Sequence, residues 1–174
     1  MKTIVINNQK GGVGKTTLAV HLAWHIAENG GRVLLIDADA QGNATDTMKR
    51  HRGEIVAAEL FRPGRAPLAG GREGITLAAS DSSLTDVDRG DVASIQQFRD
   101  NLRASSQAFD VCVIDTPPSL GLRSVAALVA ASHVLSPIYL EDYSVKGVKG
   151  LLQTVIGVQQ RYGSSDMKFL GLLP

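Results

Sequence analysis

The chain has 174 residues, a formal net charge of +1, 5% aromatic residues and one cysteine. That length suits one domain with a sizeable core, and the balanced charge excludes a strong overall footprint for nucleic acid while leaving room for a local basic face. The single Cys112 excludes an intrachain disulfide framework and suits a reducing cytosol, and neither a long apolar run nor a signal-peptide pattern after Met1 is present in the sequence.

Residues 3–7 (TIVIN) are short, β-branched and bounded by a Gly-rich loop, which predicts a buried strand. Leu18, Leu22 and Ile26 then share one face of a helix over 15–28, ended by Asn29, Gly30 and Gly31. A second buried strand is predicted over 32–36 (RVLLI), stopping at Asp37. Residues 43–60 read as one or two short helices, 62–74 as a Pro/Gly-rich loop and 75–79 (ITLAA) as a third strand. A helix over 92–105 leads to a fourth strand over 110–114 (DVCVI) and then to DTPPSLG. Helix 121–131, strand 133–138, helix 144–161 and strand 167–172 follow.

Helices alternating with strands that are apolar on both faces predict the α/β class: a doubly wound, mostly parallel sheet covered on both sides. Right-handed crossovers bring the strand C-terminal ends to one edge, where ligands bind. The loops after the first, second and fourth strands all open there. Residues 1–174 read as a single domain. The chain stops at Pro174 just after a strand, so the expectation is a domain lacking its C-terminal strands and helices.

Residues 7–17 read NNQKGGVGKTT. A strand, a Gly-rich loop and GKTT opening a helix form a phosphate-binding arrangement of the P-loop NTPase kind. Main-chain N–H groups of Gly11, Gly12, Val13 and Gly14 would cradle phosphate oxygens, aided by the positive helix end carrying Lys15, Thr16 and Thr17. Lys15 would reach the β- and γ-phosphates and Thr16 would place its hydroxyl on Mg2+. The strict G-x-x-x-x-G-K-[ST] pattern fails, because its first glycine falls on Gln9.

Lys10 is the departure that matters. The form x-K-G-G-x-G-K-[ST] resembles the deviant Walker A motif of the ParA/MinD family of dimeric ATPases, and NQKGGVGKTT is close to its ParA-type partition members. The resemblance implies that Lys10 crosses a dimer interface to the partner's nucleotide. A lysine there can neutralise developing phosphoryl charge as an arginine finger does.

The stretch LIDADAQGNAT resembles the family's D-x-D-P-Q-x-x-x-T motif, with Ala40 where proline is usual. On that resemblance Asp39 positions or activates the attacking water, and Asp37 supports the metal's water shell. Asp115 ends an apolar strand in a Walker B pattern, a carboxylate that holds Mg2+ through water. The loop TPPSLG resembles the family's switch loop. Lys10, Lys15 and Asp39 are thus the expected catalytic residues, and Thr16, Asp37 and Asp115 the expected metal residues, with ATP and Mg2+ bound.

Other constellations carry less. His21 and His25 lie one helical turn apart without a third ligand and read as partly buried residues near Trp24, not a zinc site. The run Asp86 to Asp91 has calcium-loop character but misplaces its glycine and lacks Glu at its twelfth position, so a solvated turn is expected. Cys112 reads as an inert core thiol. A lone cysteine also argues against resemblance to the nitrogenase iron protein, whose bridging cluster needs two per chain.

The resemblance spans the chain. It is strongest to short ParA-type (Soj-like) partition ATPases, and implies a homodimer on ATP, nonspecific double-stranded DNA, a ParB-like partner and a cytoplasmic, nucleoid-associated location without membrane. A MinD-type membrane ATPase, a metabolic P-loop ligase and a nucleotide-switched scaffold are the alternatives, the last disfavoured by Asp39. Lys49, Arg50, Arg52, Arg62, Arg65 and Arg72 are the candidate DNA-facing residues, with a solvated basic loop as the competing reading.

Overall fold

A computed structural model describes residues 1–65, 67–70, 74–139, 145–163 and 166–174, with no side-chain description for 145–149 and 151. Its seven strands form one sheet of order β3-β4-β2-β5-β1-β6-β7, parallel at every pairing. They are β1 (Lys2–Ile6), β2 (Arg32–Asp37), β3 (Arg52–Val56), β4 (Gly74–Ala79), β5 (Val111–Asp115), β6 (His133–Pro137) and β7 (Lys168–Leu173). The helices are α1 (Lys15–Glu28), α2 (Asn43–Thr47), α3 (Leu84–Val87), α4 (Ala93–Ala104), α5 (Leu122–Ala130) and α6 (Val145–Tyr162).

Strand periodicity explains why the apolar runs are continuous. In β2, Val33 and Leu35 pack with Ala19, Val20 and Ala23 of α1, while Leu34 and Ile36 join the opposite core with Phe98 of α4 and Leu128 of α5. Alternate side chains of a strand point to opposite faces, so a sheet covered twice needs apolar residues at every position. Cys112 is fully buried in this core, and burial pushes its thiol pKa far up, as an inert thiol requires.

One expected segment differs. Residues 43–60, read as helical, hold α2, a short 3-10 turn (Lys49–His51), strand β3 and a second 3-10 turn (Ala57–Phe61). The strand escaped notice because it is a short edge strand, carries Arg52 and Glu54, and shifts register against β4. Gly53 lets it approach closely: a Cβ there would meet Thr76 Cγ2 at 2.9 Å and the Leu77 carbonyl oxygen at 3.2 Å. The short helix α3 also lay outside the predicted elements.

The turn at 57–61 closes the core beneath α4. Phe61 stacks on the fully buried Phe98 with centroids 4.6 Å apart, and Asn101 Nδ2 donates to the carbonyls of Leu60 and Arg62 at 2.8 and 2.9 Å. Phe98→Ala should therefore cost about 3–5 kcal/mol of unfolding free energy in urea titration, the loss expected for a buried aromatic that leaves a cavity. A loss below roughly 1 kcal/mol would mean that this face of the sheet is not closed as described.

Candidate active site

The loops after β1, β2 and β5 meet at the C-terminal edge of the sheet. Gly12 and Gly14 of the first loop take φ values of 77° and 89°, a left-handed backbone that side chains disfavour. The second of these glycines caps α1, whose first turn has no acidic residue, so the helix start offers N–H groups and positive potential to an anion. Val13 buries its side chain, leaving only its main chain for a ligand, whereas Gly11, Gly12 and Thr17 are exposed. A cleft of about 600 Å³ lies over the loop, lined by Gly11, Lys15, Thr16, Asp39, Gln41 and Pro118 among others. A more apolar cleft of about 460 Å³ adjoins it at Val13, Thr17, Leu18 and Tyr139.

The two lysines are joined through the main chain. Lys15 is buried and its Nζ donates to the Lys10 carbonyl at 3.0 Å. The Lys10 N–H donates to Asn8 Oδ1 at 2.9 Å, and Asn8 Nδ2 donates to the Pro137 carbonyl at 2.8 Å. Tyr139 OH reaches the Gly12 carbonyl at 2.5 Å, so the loop is tied to the end of β6 at two points. Lys10 itself is exposed. Burial lowers the Lys15 pKa, while the carboxylates of Asp115 and Asp39 oppose that fall.

Asp37 and Asp115 occupy paired register positions on the adjacent strands β2 and β5, and both are buried. Their surroundings differ. Asp37 Oδ2 accepts from the Thr45 main chain and hydroxyl at 2.7 and 2.8 Å, and Oδ1 accepts from the Asp39 N–H at 3.2 Å. Burial raises the Asp37 pKa against the pull of those bonds. Asp37 is thus bound up in organising its own loop, and this bonding lends no support to a place in a metal's water shell.

Neither oxygen of Asp115 makes a hydrogen bond of normal geometry. Burial pushes its pKa up to about 7; Asp37 and Asp39 add to the rise, and the neighbouring Thr16 hydroxyl and Lys15 ammonium oppose it. A buried carboxyl with no hydrogen bond of normal geometry, beside a helix-start threonine hydroxyl, fits a hydrated divalent cation. No group of three or more His, Cys, Asp or Glu among the described residues could hold a metal ion. A cation here would therefore rely on Thr16, water and the ligand's own oxygens.

Asp39 faces the cleft half-buried, its Oδ1 accepting from the Gln41 N–H at 3.0 Å. Its carbonyl accepts from Ser80 Oγ at 2.7 Å, and the Ser80 N–H donates to Thr45 Oγ1 at 2.8 Å. Sequence reasoning missed Ser80, which stands just past a strand end with no motif around it. Thr45 stood in the second motif, but without a role. Asn7 and Thr116 were also missed: Asn7 Nδ2 donates to Thr116 Oγ1 at 3.2 Å, and that hydroxyl donates to the Ile6 carbonyl at 2.8 Å, tying the first loop to the segment after β5.

His21 and His25 are exposed, not partly buried; His21 lines the apolar cleft and sits edge-on to Trp24, itself 38% exposed. Asp88, expected in a solvated turn, instead pairs with the buried Arg123. Lys49, Arg50, Arg52 and Arg62 are exposed, Arg65 pairs with Glu59, and Arg72 lies outside the described residues. No helix among the described residues is long and apolar enough to cross a membrane.

A parallel doubly wound sheet with a glycine loop, a helix-start lysine and threonine, and a strand-end aspartate defines a P-loop NTPase fold. A model of the AAA domain matches residues 1–169. The chain is 43% identical over 185 residues to protein IncC of Escherichia coli, covering all of this chain and 50% of that one. It is 35% identical over 185 residues to the sporulation initiation inhibitor protein Soj of Bacillus subtilis, covering 99% and 71%. Among solved structures, cobyrinic acid a,c-diamide synthase from Mycobacterium smegmatis with bound ADP and magnesium superposes with a TM-score of 0.85 at 31% identity, covering 100% and 74%. The ATP complex of McdA from Cyanothece does so at 0.81 and 30%, covering 100% and 70%. The chain belongs to the ParA/MinD family, on the side of its Soj-like partition proteins. It spans half the length of the IncC proteins that it matches.

The raised pKa of Asp115 has a sign that can be measured. An aspartate that ordinarily ionises near 3.8 and is held up to about 7 keeps its proton in the native state where the unfolded chain has lost it. Its contribution to stability is complete at low pH and is lost as pH rises through about 7. Thermal unfolding of nucleotide-free protein should show a higher midpoint at pH 6 than at pH 8. Asp37 contributes in the same direction, so the Asp115→Asn variant isolates the effect: it should melt above wild type at pH 8 and show a shallower slope. A slope unchanged by the substitution would refute the shift.

Proposed function

We propose that this chain is the ATP-hydrolysing core of a ParA-type partition ATPase, acting as a nucleotide-sandwich homodimer over nonspecific double-stranded DNA with a ParB-like partner. One observation carries the reading: Lys15, Thr16 and Asp39 line a single cleft at the start of α1, and the buried Asp115 carboxyl lies beside Thr16 and Lys15. The glycine-loop N–H groups and Lys15 would bind the ATP phosphates, and the adjoining apolar cleft suits a flat base. Thr16, and Asp115 through water, would hold magnesium, which when bound would supply charge neutralisation at the phosphates. Asp39 would orient the attacking water. Exposed Lys10, its main chain fixed from both sides, would offer its ammonium across the interface to the partner's phosphates.

A second reading is a metabolic P-loop ligase, favoured by the likeness to a diamide synthase. Both use the same phosphate chemistry, so ATP turnover should be measured in parallel with DNA, a candidate ParB-like protein, liposomes and carboxylic acid substrates. Stimulation by DNA and partner together supports partition. Turnover requiring a small acid supports the ligase, and stimulation by liposomes a membrane role.

Lys15→Ala should abolish ATP binding in titration calorimetry, and unchanged affinity would remove Lys15 from the site. Asp39→Ala should keep or tighten ATP binding, since it removes a negative charge near a polyanion, and should accumulate an ATP dimer retained on DNA. That retention should weaken steeply with salt. For Lys10, mixing Lys10→Ala chains with Asp39→Ala chains creates one site with an intact Asp39 and a lysine from the other chain. Recovered turnover is expected. Mixed dimers that form without recovery exclude action across the interface.

A further inference from the structure

Arg123 lies in the first turn of α5, directly after the switch loop, and its side chain is only 9% exposed. A cation there faces the positive end of its own helix, so helix stability does not explain it. A buried ion pair is likewise weak evidence for stability, because desolvation offsets most of the attraction. The bonds made by Arg123 point elsewhere. Nε and Nη2 donate to Asp88 Oδ2 at 2.9 and 2.7 Å, and Nη1 donates to the carbonyl of Ala38 at 3.0 Å. Ala38 is the residue between Asp37 and Asp39, and its own N–H donates to the Asp115 carbonyl at 3.0 Å. The guanidinium therefore grips the main chain one residue before Asp39.

Asp88 completes the clasp. Its Oδ1 accepts the Arg123 main-chain N–H at 3.1 Å, placing an acid at the start of α5, where the helix favours one. Gly121 makes room for it: a Cβ there would lie 2.5 Å from Asp88 Oδ1. The end of the switch loop, the turn after α3 and the Asp39 loop are thus fastened at one guanidinium. Among the described residues, the side-chain hydrogen bonds of Arg123 and Asp88 run to each other and to Ala38, not to the phosphate-binding loop.

We infer that Arg123, held by Asp88, is a positioning residue that sets the Asp39 loop for hydrolysis, an assignment that rests on the ATP-hydrolysing reading above. Releasing the Ala38 carbonyl lets Asp39 drift relative to the phosphates, and a displacement of about 1 Å costs on the order of 100-fold in rate. Binding, carried by the glycine loop and Lys15, is left intact.

The test uses Asp88→Asn, which keeps the shape but drops the charge, and Gly121→Ala, which keeps both charges but pushes Asp88 aside. Arg89→Ala is the control, since Arg89 makes only an exposed pair with Asp86. Both clasp variants should bind ATP within about 3-fold of wild type and lose roughly 10- to 100-fold in single-turnover hydrolysis, with Arg89→Ala unchanged. Amide hydrogen exchange at 38–42 should quicken about tenfold, while the β1 and β5 amides keep their protection. A uniform loss of protection with affinity and rate falling together would make the clasp merely structural and overturn the inference. So would unchanged exchange at 38–42, or an unchanged rate in an active wild type. If wild-type protein fails to hydrolyse ATP under any condition, the functional reading fails instead; exchange alone then decides whether Arg123 holds the Asp39 loop.

Discussion

Two carboxyl groups are buried side by side at the ends of β2 and β5, and most of the site follows from how each is accommodated. A buried charge must be paired, hydrogen-bonded or neutralised. Asp37 is satisfied locally, because Thr45 and the Asp39 N–H supply three donors. Asp115 receives no comparable bond and stays close to protonation at neutral pH. The two acids therefore differ: one shapes the loop that carries Asp39, and the other has no hydrogen bond of normal geometry on either oxygen. Lys15 is the counter-charge to both Asp115 and Asp39, and the same acids oppose the fall in its pKa that burial causes.

That arrangement asks for a rigid loop opposite the acids. The glycine loop gains stiffness from its neighbours, since its glycines fix little by themselves. Asn8 reaches the end of β6, Tyr139 holds the Gly12 carbonyl, and Lys15 closes back on Lys10. Preorganised donors are the main contribution a protein can make to phosphoryl transfer, where little covalent chemistry is left to it. The same tethers fix where Lys10 leaves the loop while its side chain remains at the surface.

The sequence made the sheet legible because strands buried on both faces leave unbroken apolar runs such as RVLLI and VCVI. It concealed β3, whose Arg52, Gly53 and Glu54 are what an edge strand with one close backbone approach requires, but which by composition resemble a loop or helix end. Within the site, the residues proposed to meet a ligand were readable from motif spacing: Lys15, Thr16, Asp39 and Asp115. Residues that hold those residues were not. Ser80, Thr116 and Arg123 act through bonds spanning 41, 110 and 85 positions, and no local pattern marks such partners. Asp88 was misread for the same reason, since a D-V-D-R-G-D run is a turn signal until the arginine that buries it is known.

The hidden partners also bear on how one phosphate site serves different proteins. The groups proposed for catalysis sit on loops whose tips face the cleft, but the bases of those loops are tied to different parts of the chain: Asp39 to the end of β4 through Ser80 and to α5 through Arg123, the glycine loop to β6 through Asn8 and Tyr139. Coupling between a site and a distant surface needs an element that both can bias. The Asp39 loop qualifies because it shares one guanidinium with the exposed turn carrying Asp86 and Arg89. Among the described residues, the hydrogen bonds that tether the glycine loop through Asn8 and Tyr139 run to the end of β6 and not to that turn. On the proposed reading, binding and hydrolysis rest on largely different supports, so a contact on the outer turn would change the rate of hydrolysis more than the hold on the phosphates.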